Sequence, residues 1–87
     1  MNTETRNEIA SWLIDRVAQG ANEEVGSMDW KSFNDGQEEH RVSIMRDEDD
    51  QFPVWMSERN FCADFTLNPS STEEEVRKII DEWYDEY

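Results

Sequence analysis

One cysteine, one histidine, two prolines and three glycines stand among 87 residues, and basic side chains number only eight. Each shortage excludes something. With Cys62 alone no internal disulfide can form, so nothing calls for an oxidising compartment. With His40 alone, a catalytic triad or a histidine-rich metal site has few partners to draw on. Gly20, Gly26 and Gly36 stand apart, which leaves no glycine-rich phosphate loop. No apolar run approaches the ~18 residues of a membrane span. The opening Met1-Asn2-Thr3-Glu4-Thr5 has neither the basic nor the apolar stretch of a signal peptide. Against the eight bases stand 22 acids, a formal net charge of -14. That charge repels phosphates, so direct binding to nucleic acid or to an anionic membrane is not expected.

Aliphatic residues are scarce as well. Leu, Ile, Val and Phe together make 16 of 87 residues, a fraction that with this charge falls on the disordered side of the compositional line. Four Trp, two Tyr and four Met offset the deficit, because each aromatic buries a large area. Their regular spacing points to one folded domain over residues 1–87. At this length only about 60% of the unfolded chain's surface is buried, so the core is thin.

The spacing predicts the elements. Ile9, Trp12, Leu13 and Val17, widened by Ala10 and Ile14, make one stripe of a helix over residues 5–19. Thr5 and Glu8 have capping-box spacing, and Gly20 stands where a left-handed C-terminal cap is expected. The period then changes. Met28 and Trp30 alternate with polar residues up to a turn at Asn34-Asp35-Gly36. His40, Val42 and Ile44 alternate as a half-buried strand. Asp47-Glu48-Asp49-Asp50 is a loop. Phe52, Val54 and Met56 alternate again, with Pro53 suggesting an edge strand or a strand start. Ser57 to Asn60 is a turn, and Phe61, Ala63, Phe65 and Leu67 form a further strand ending at Asn68-Pro69. Ser70-Ser71-Thr72 before Glu73-Glu74-Glu75 starts a second helix, its cap register open. Val76, Ile79, Ile80, Trp83, Tyr84 and Tyr87 form that helix's stripe. The order is α-β-β-β-β-α: an α+β domain with an antiparallel sheet of three or four strands, one face covered by two helices. Trp12 and Trp83, each within its stripe, are expected to be buried where helices meet sheet.

Catalytic chemistry finds little support. His40 shares a face with Val42 and Ile44 and has only Glu38, Glu39 and scattered acids near it in sequence, which favours a structural role. Cys62 has neither a histidine nor a helix N-terminus beside it. Asp47, Asp49, Gln51 and Glu58 fall at positions one, three, five and twelve of a calcium loop, but Phe52 stands where that loop needs glycine. The expectation is a protein that is not an enzyme and carries no cofactor and no metal.

The acids are the remaining signal, and they are unevenly spread. Residues 21–40 carry six against one base, and residues 61–87 carry eight against two. On the second helix Glu74, Asp81 and Asp85 share a row opposite Val76 and Ile80, with Glu75, Glu82 and Glu86 beside it. Acids four apart rise about 6 Å along a helix, close to the separation of successive phosphates on one DNA strand, on the order of 6–7 Å. Such a surface fits the basic groove of a nucleic-acid-binding protein. Solubility alone needs a net charge of only about 2–8.

In size and in these acidic clusters the chain resembles the small acidic proteins of phages and mobile elements that mimic DNA to block restriction enzymes, and anti-CRISPR proteins. The resemblance implies a monomer or small homo-oligomer in the cytoplasm of a bacterial host, inhibiting a nuclease complex by occupying its nucleic-acid site. Glu38, Glu39, Asp47, Glu48, Asp49, Asp50, Glu74, Asp81, Glu82, Asp85 and Glu86 are the candidate partner-binding residues. An immunity protein or antitoxin capping a basic toxin nuclease, and an acidic adaptor holding a basic peptide or subunit at its sheet edge, are the competing functions.

Overall fold

The computed structural model describes residues 2–20, 24–36, 38–56 and 62–85. Six elements follow in order: α1 (Thr3–Gly20), β1 (Met28–Asn34), β2 (Glu39–Met45), β3 (Phe52–Trp55), β4 (Phe65–Leu67) and α2 (Glu73–Asp85). The strands form one antiparallel sheet in the order β1-β2-β3-β4. The α+β class and the α-β-β-β-β-α order thus follow the sequence pattern.

Both helices lie on one face. Ile9, Ala10, Leu13 and Val17 of α1 and Val76 and Ile80 of α2 join Phe33, Val42, Ile44, Phe52, Val54, Met56 and Leu67 in a single buried cluster. Each fully buried aliphatic side chain contributes on the order of 1.5–3 kcal/mol. Trp12 and Trp83 are only partly buried at the margin of this core, contrary to expectation. Each leans edge-on against a neighbouring ring, Trp12 on Phe33 at 5.8 Å and Trp83 on Tyr84 at 4.7 Å.

Several boundaries shift for identifiable reasons. α1 begins two residues early because Asn2, not Thr5, is its cap: Asn2 Oδ1 accepts the Thr5 N–H at 2.7 Å. Gly20 lies inside the helix with no left-handed φ. Its role is close packing, since a Cβ there would come within 2.6 Å of the Phe52 ring. Arg46 Nη1 donates to the Gly20 carbonyl at 3.3 Å, supplying the C-terminal partner instead. In α2 the cap register resolves to Thr72, whose Oγ1 accepts the Glu75 N–H at 3.2 Å.

Pro53 is in an inner strand, between β2 and β4. The β2–β3 ladder is limited to Ser43↔Trp55 and Ile44↔Val54, so the missing N–H of Pro53 falls outside it. β4 is shorter than its alternation suggests. The Asp64 carboxylate accepts the Met56 N–H at 2.6 Å, closing the chain ahead of Phe65. The turn expected at Ser57 to Asn60, and Phe61 and Tyr87, lie outside the described residues.

The strand β1 presents the face opposite to the one its largest residues suggest. Met28 and Trp30 are 53% and 56% exposed, while Phe33 is buried. The register Lys31↔Val42 and Phe33↔His40 puts odd-numbered β1 residues over the core.

Candidate functional site

Charge on this molecule is sorted by depth. Arg6, Arg16, Arg46 and Arg77 have side chains only 17–21% exposed, and each is bonded to an acid. Arg16 ties α1 to β1 through Asp29 at 2.7 Å. Arg6 of α1 and Arg77 of α2 converge on Asp81 at 2.9 and 2.6 Å, and Arg77 also reaches Asn7 at 2.8 Å. The long arginine stems pack along apolar surface while their heads link elements. Among the described residues only Lys31, Arg41 and Lys78 remain exposed bases, against thirteen exposed acids. Two of those three lie over aromatic rings, Lys31 at 5.4 Å from Phe33 and Arg41 at 3.8 Å from Trp30. Over the described residues the surface is therefore more acidic than the composition.

The candidate acids fall into separate places. Glu38 and Glu39 lie at the β1–β2 turn, and Asp47 to Asp50 at the β2–β3 turn. Glu38 and Glu39 do not flank the 47–50 loop, because β2 runs between them; six steps at ~3.4 Å put the two ends about 20 Å apart. Within the loop the four acids are unequal. Asp47 Oδ1 accepts the N–H groups of Asp49 and Gln51 at 2.8 and 2.9 Å, which shapes the turn. Asp50 adopts a positive φ of 57° and pairs with Arg46 at 2.6 Å. Glu48 and Asp49 are exposed. The calcium-loop spacing thus begins at a carboxylate oxygen already engaged with backbone, and Glu58 lies outside the described residues.

On α2, Glu73, Glu74, Glu75 and Glu82 are exposed. Asp81 is a correction: it faces α1 and is bonded to two arginines, so it is not part of a free outer row. Asp85 is the last residue of the helix, but its side chain, like Glu86, lies outside the description. Among the described residues no two exposed acids of α2 stand four apart, which narrows the phosphate-spacing argument to the helix start and Glu82.

Sequence reasoning missed two features. The first is Asp35. The Asn34-Asp35-Gly36 turn and the strand parity of His40 were legible, but only the pairing Phe33↔His40 folds Asp35 back onto the imidazole, 3.0 Å from Nε2. His40 also stands edge-on to Tyr84, with ring centres 6.0 Å apart. Burial pushes the Tyr84 phenol up to about 12, with Arg6 opposing and Asp35, Asp64 and Glu38 adding to the rise.

The second is the helix-free face of the sheet. Met28↔Met45 and Trp30↔Ser43↔Trp55 pair across it in adjacent rows. Arg41 stacks on Trp30, and Ser32 Oγ donates to Glu39 at 2.7 Å. The parity conflict between Met28 and Trp30 on one side and Phe33 on the other was the available signal. No helix among the described residues is long and apolar enough to cross a membrane. No family model, curated protein or solved structure matches the chain.

Proposed function

We propose that the protein inhibits a nuclease complex by occupying its basic nucleic-acid-binding surface, as the DNA-mimic and anti-CRISPR proteins that it resembles in size and charge do. The sorting of charge carries this reading. Four half-buried arginines are bonded to named acids, while among the described residues thirteen acids, Asp50 being the one paired with Arg46, are exposed against three exposed bases. A surface of one sign steers a basic partner and repels nucleic acid. Self-repulsion at this level destabilises a small domain, a cost that a solubility role does not require. Glu73, Glu74, Glu75 and Glu82 on α2, with Glu48 and Asp49 on the β2–β3 turn, are the exposed groups suited to the contact.

The test is capture from a lysate of the source organism at low and high salt. A captured nucleic-acid-binding protein should be released by salt and by competing duplex DNA. It should be lost when Glu74 and Glu82 are changed to Lys, substitutions at exposed positions that change stability little. Tight, salt-sensitive binding of DNA by this protein itself overturns the reading, as does capture indifferent to DNA.

One observation favours a second reading, an acidic adaptor for a basic peptide or subunit. Trp30, Met28 and Arg41 lie exposed on and beside the edge strand β1, and Trp and Arg are the side chains that most often dominate interfaces. Under that reading Trp30→Ala abolishes capture and the α2 reversals do not.

A further inference from the structure

The β1–β2 hairpin brings three side chains with metal-ligating atoms to one point. Asp35 leaves β1, Glu38 enters β2, and His40 is the second residue of that strand. Their ligand atoms all lie within 4.8 Å of one another. His40 Nε2 is 3.0 Å from Asp35 Oδ2 and 3.8 Å from Glu38 Oε2. Asp35 and His40 have side chains 11% and 12% exposed, whereas Glu38 is 74% exposed and reaches in from solvent.

A hydrogen bond to Asp35 accounts for only part of this arrangement. One ring N–H serves one carboxylate well, yet two carboxylates converge on the same nitrogen. In a tetrahedral site with bonds of 2.0–2.2 Å the ligand atoms stand about 3.4 Å apart. The two separations from Nε2 bracket that value and the carboxylates lie within 4.8 Å of each other, so a cation inserted between the three groups needs adjustments on the order of 1 Å. The long, exposed Glu38 is the arm able to make them. The imidazole is already oriented by its edge-on contact with Tyr84, and Asp35 is held by the Glu38 N–H, which donates to its Oδ1 at 3.1 Å. Metal sites gain affinity from ligands fixed in this way.

We propose that Asp35, Glu38 and His40 form a binding site for a first-row transition dication of the zinc type. The donor set decides the class. One imidazole nitrogen with two carboxylate oxygens suits zinc and its neighbours, whereas calcium takes six to eight oxygens and magnesium keeps most of its water. Three protein ligands leave a further position for water or for a ligand from a partner. The surrounding net charge of -14 concentrates cations near the hairpin. It also attracts them elsewhere, so the test must separate this site from diffuse binding.

The experiment is a calorimetric titration of zinc chloride into the full chain, in near-physiological sodium chloride with excess magnesium to occupy diffuse sites. A long-range ¹H–¹⁵N spectrum of the single histidine is recorded in parallel. The expected result is one equivalent bound, with the His40 Nε2 resonance displaced. Glu38→Gln, at an exposed position that leaves the fold intact, should weaken binding at least about tenfold, the lower end of the loss known for groups that only support a ligand. Glu48→Gln with Asp49→Asn, at the other end of β2, should leave it unchanged. Binding that ignores Glu38→Gln, an unmoved His40 resonance, or no saturable equivalent overturns the site. If His40→Gln unfolds the chain, the Glu38 variant and the spectrum still decide.

Discussion

At the scale of single residues, several side chains carry roles that their type alone does not announce. Gly20 is the clearest. Its φ is unremarkable, so the requirement is space beneath the Phe52 ring. Gly20→Ala gains roughly 1 kcal/mol of helix propensity but overpacks a core contact, which costs about 1–3 kcal/mol. A lowered urea midpoint is expected; a raised one would mean that Phe52 swings aside freely. Tyr84 supplies the pH dependence. Its phenol is raised by burial to about 12 from an ordinary 10.0. The neutral form is the one favoured by folding, so this contribution is intact below pH 10 and is lost as pH climbs from about 10 to 12. Phenolate absorbance followed against pH should show one of the two tyrosines ionising late, and Tyr84→Phe should remove that late step. The sequence placed Tyr84 on the right stripe of its helix. It could not show that His40, Arg6 and three acids would act on the phenol.

Elements are held by caps and by arginines that reach across. Thr72 fixes the start of α2, where three glutamates occupy the first turn. Thr72→Ala should cost about 1 kcal/mol, within a range of roughly 0.5–2, read as a lower melting temperature with less helical signal. The stripe of α2 divides into a buried centre and a looser margin. Ile80 is fully buried, so Ile80→Ala should cost about 2–5 kcal/mol. Trp83, only partly buried, should cost less when truncated; a larger loss at Trp83 would show that the helix packs through its aromatic end. Asp81 joins α2 to α1 through Arg6 and is braced within its own helix by Arg77. Asp81→Lys would therefore weaken the fold along with any binding, which is why exposed Glu74 and Glu82 are the cleaner probes of function.

Over the whole molecule the governing quantity is a net charge of -14 on a thin core. Arginines neutralise acids at the seams between elements, and thirteen acids among the described residues are exposed to solvent. Added monovalent salt screens their mutual repulsion, with a Debye length falling from about 30 Å at 0.01 M to about 3 Å at 1 M. The melting temperature should therefore rise with sodium chloride over this range. A temperature that falls instead would show that the arginine ties, which salt also screens, outweigh the repulsion. The same field would act on association with a basic partner, raising its rate at low salt.

Element type and order were legible in the chain because both rest on local periodicity: a 3.6-residue stripe from Ile9 to Val17 and from Val76 to Tyr84, and alternation through His40–Ile44 and Phe52–Met56. Excess acidity was legible too, being a sum over residues. Which face of β1 is covered depended on the register with β2, and so Phe33 is inside while Trp30 is out. Pairing across the hairpin set Asp35 against His40, five residues away in sequence. The contact of Gly20 with Phe52, and of Asp81 with Arg6 of the first helix, joins segments distant along the chain. Composition and spacing determine what each segment can form. Only the packing of segments against one another decides which charges are spent inside the fold and which remain on its surface.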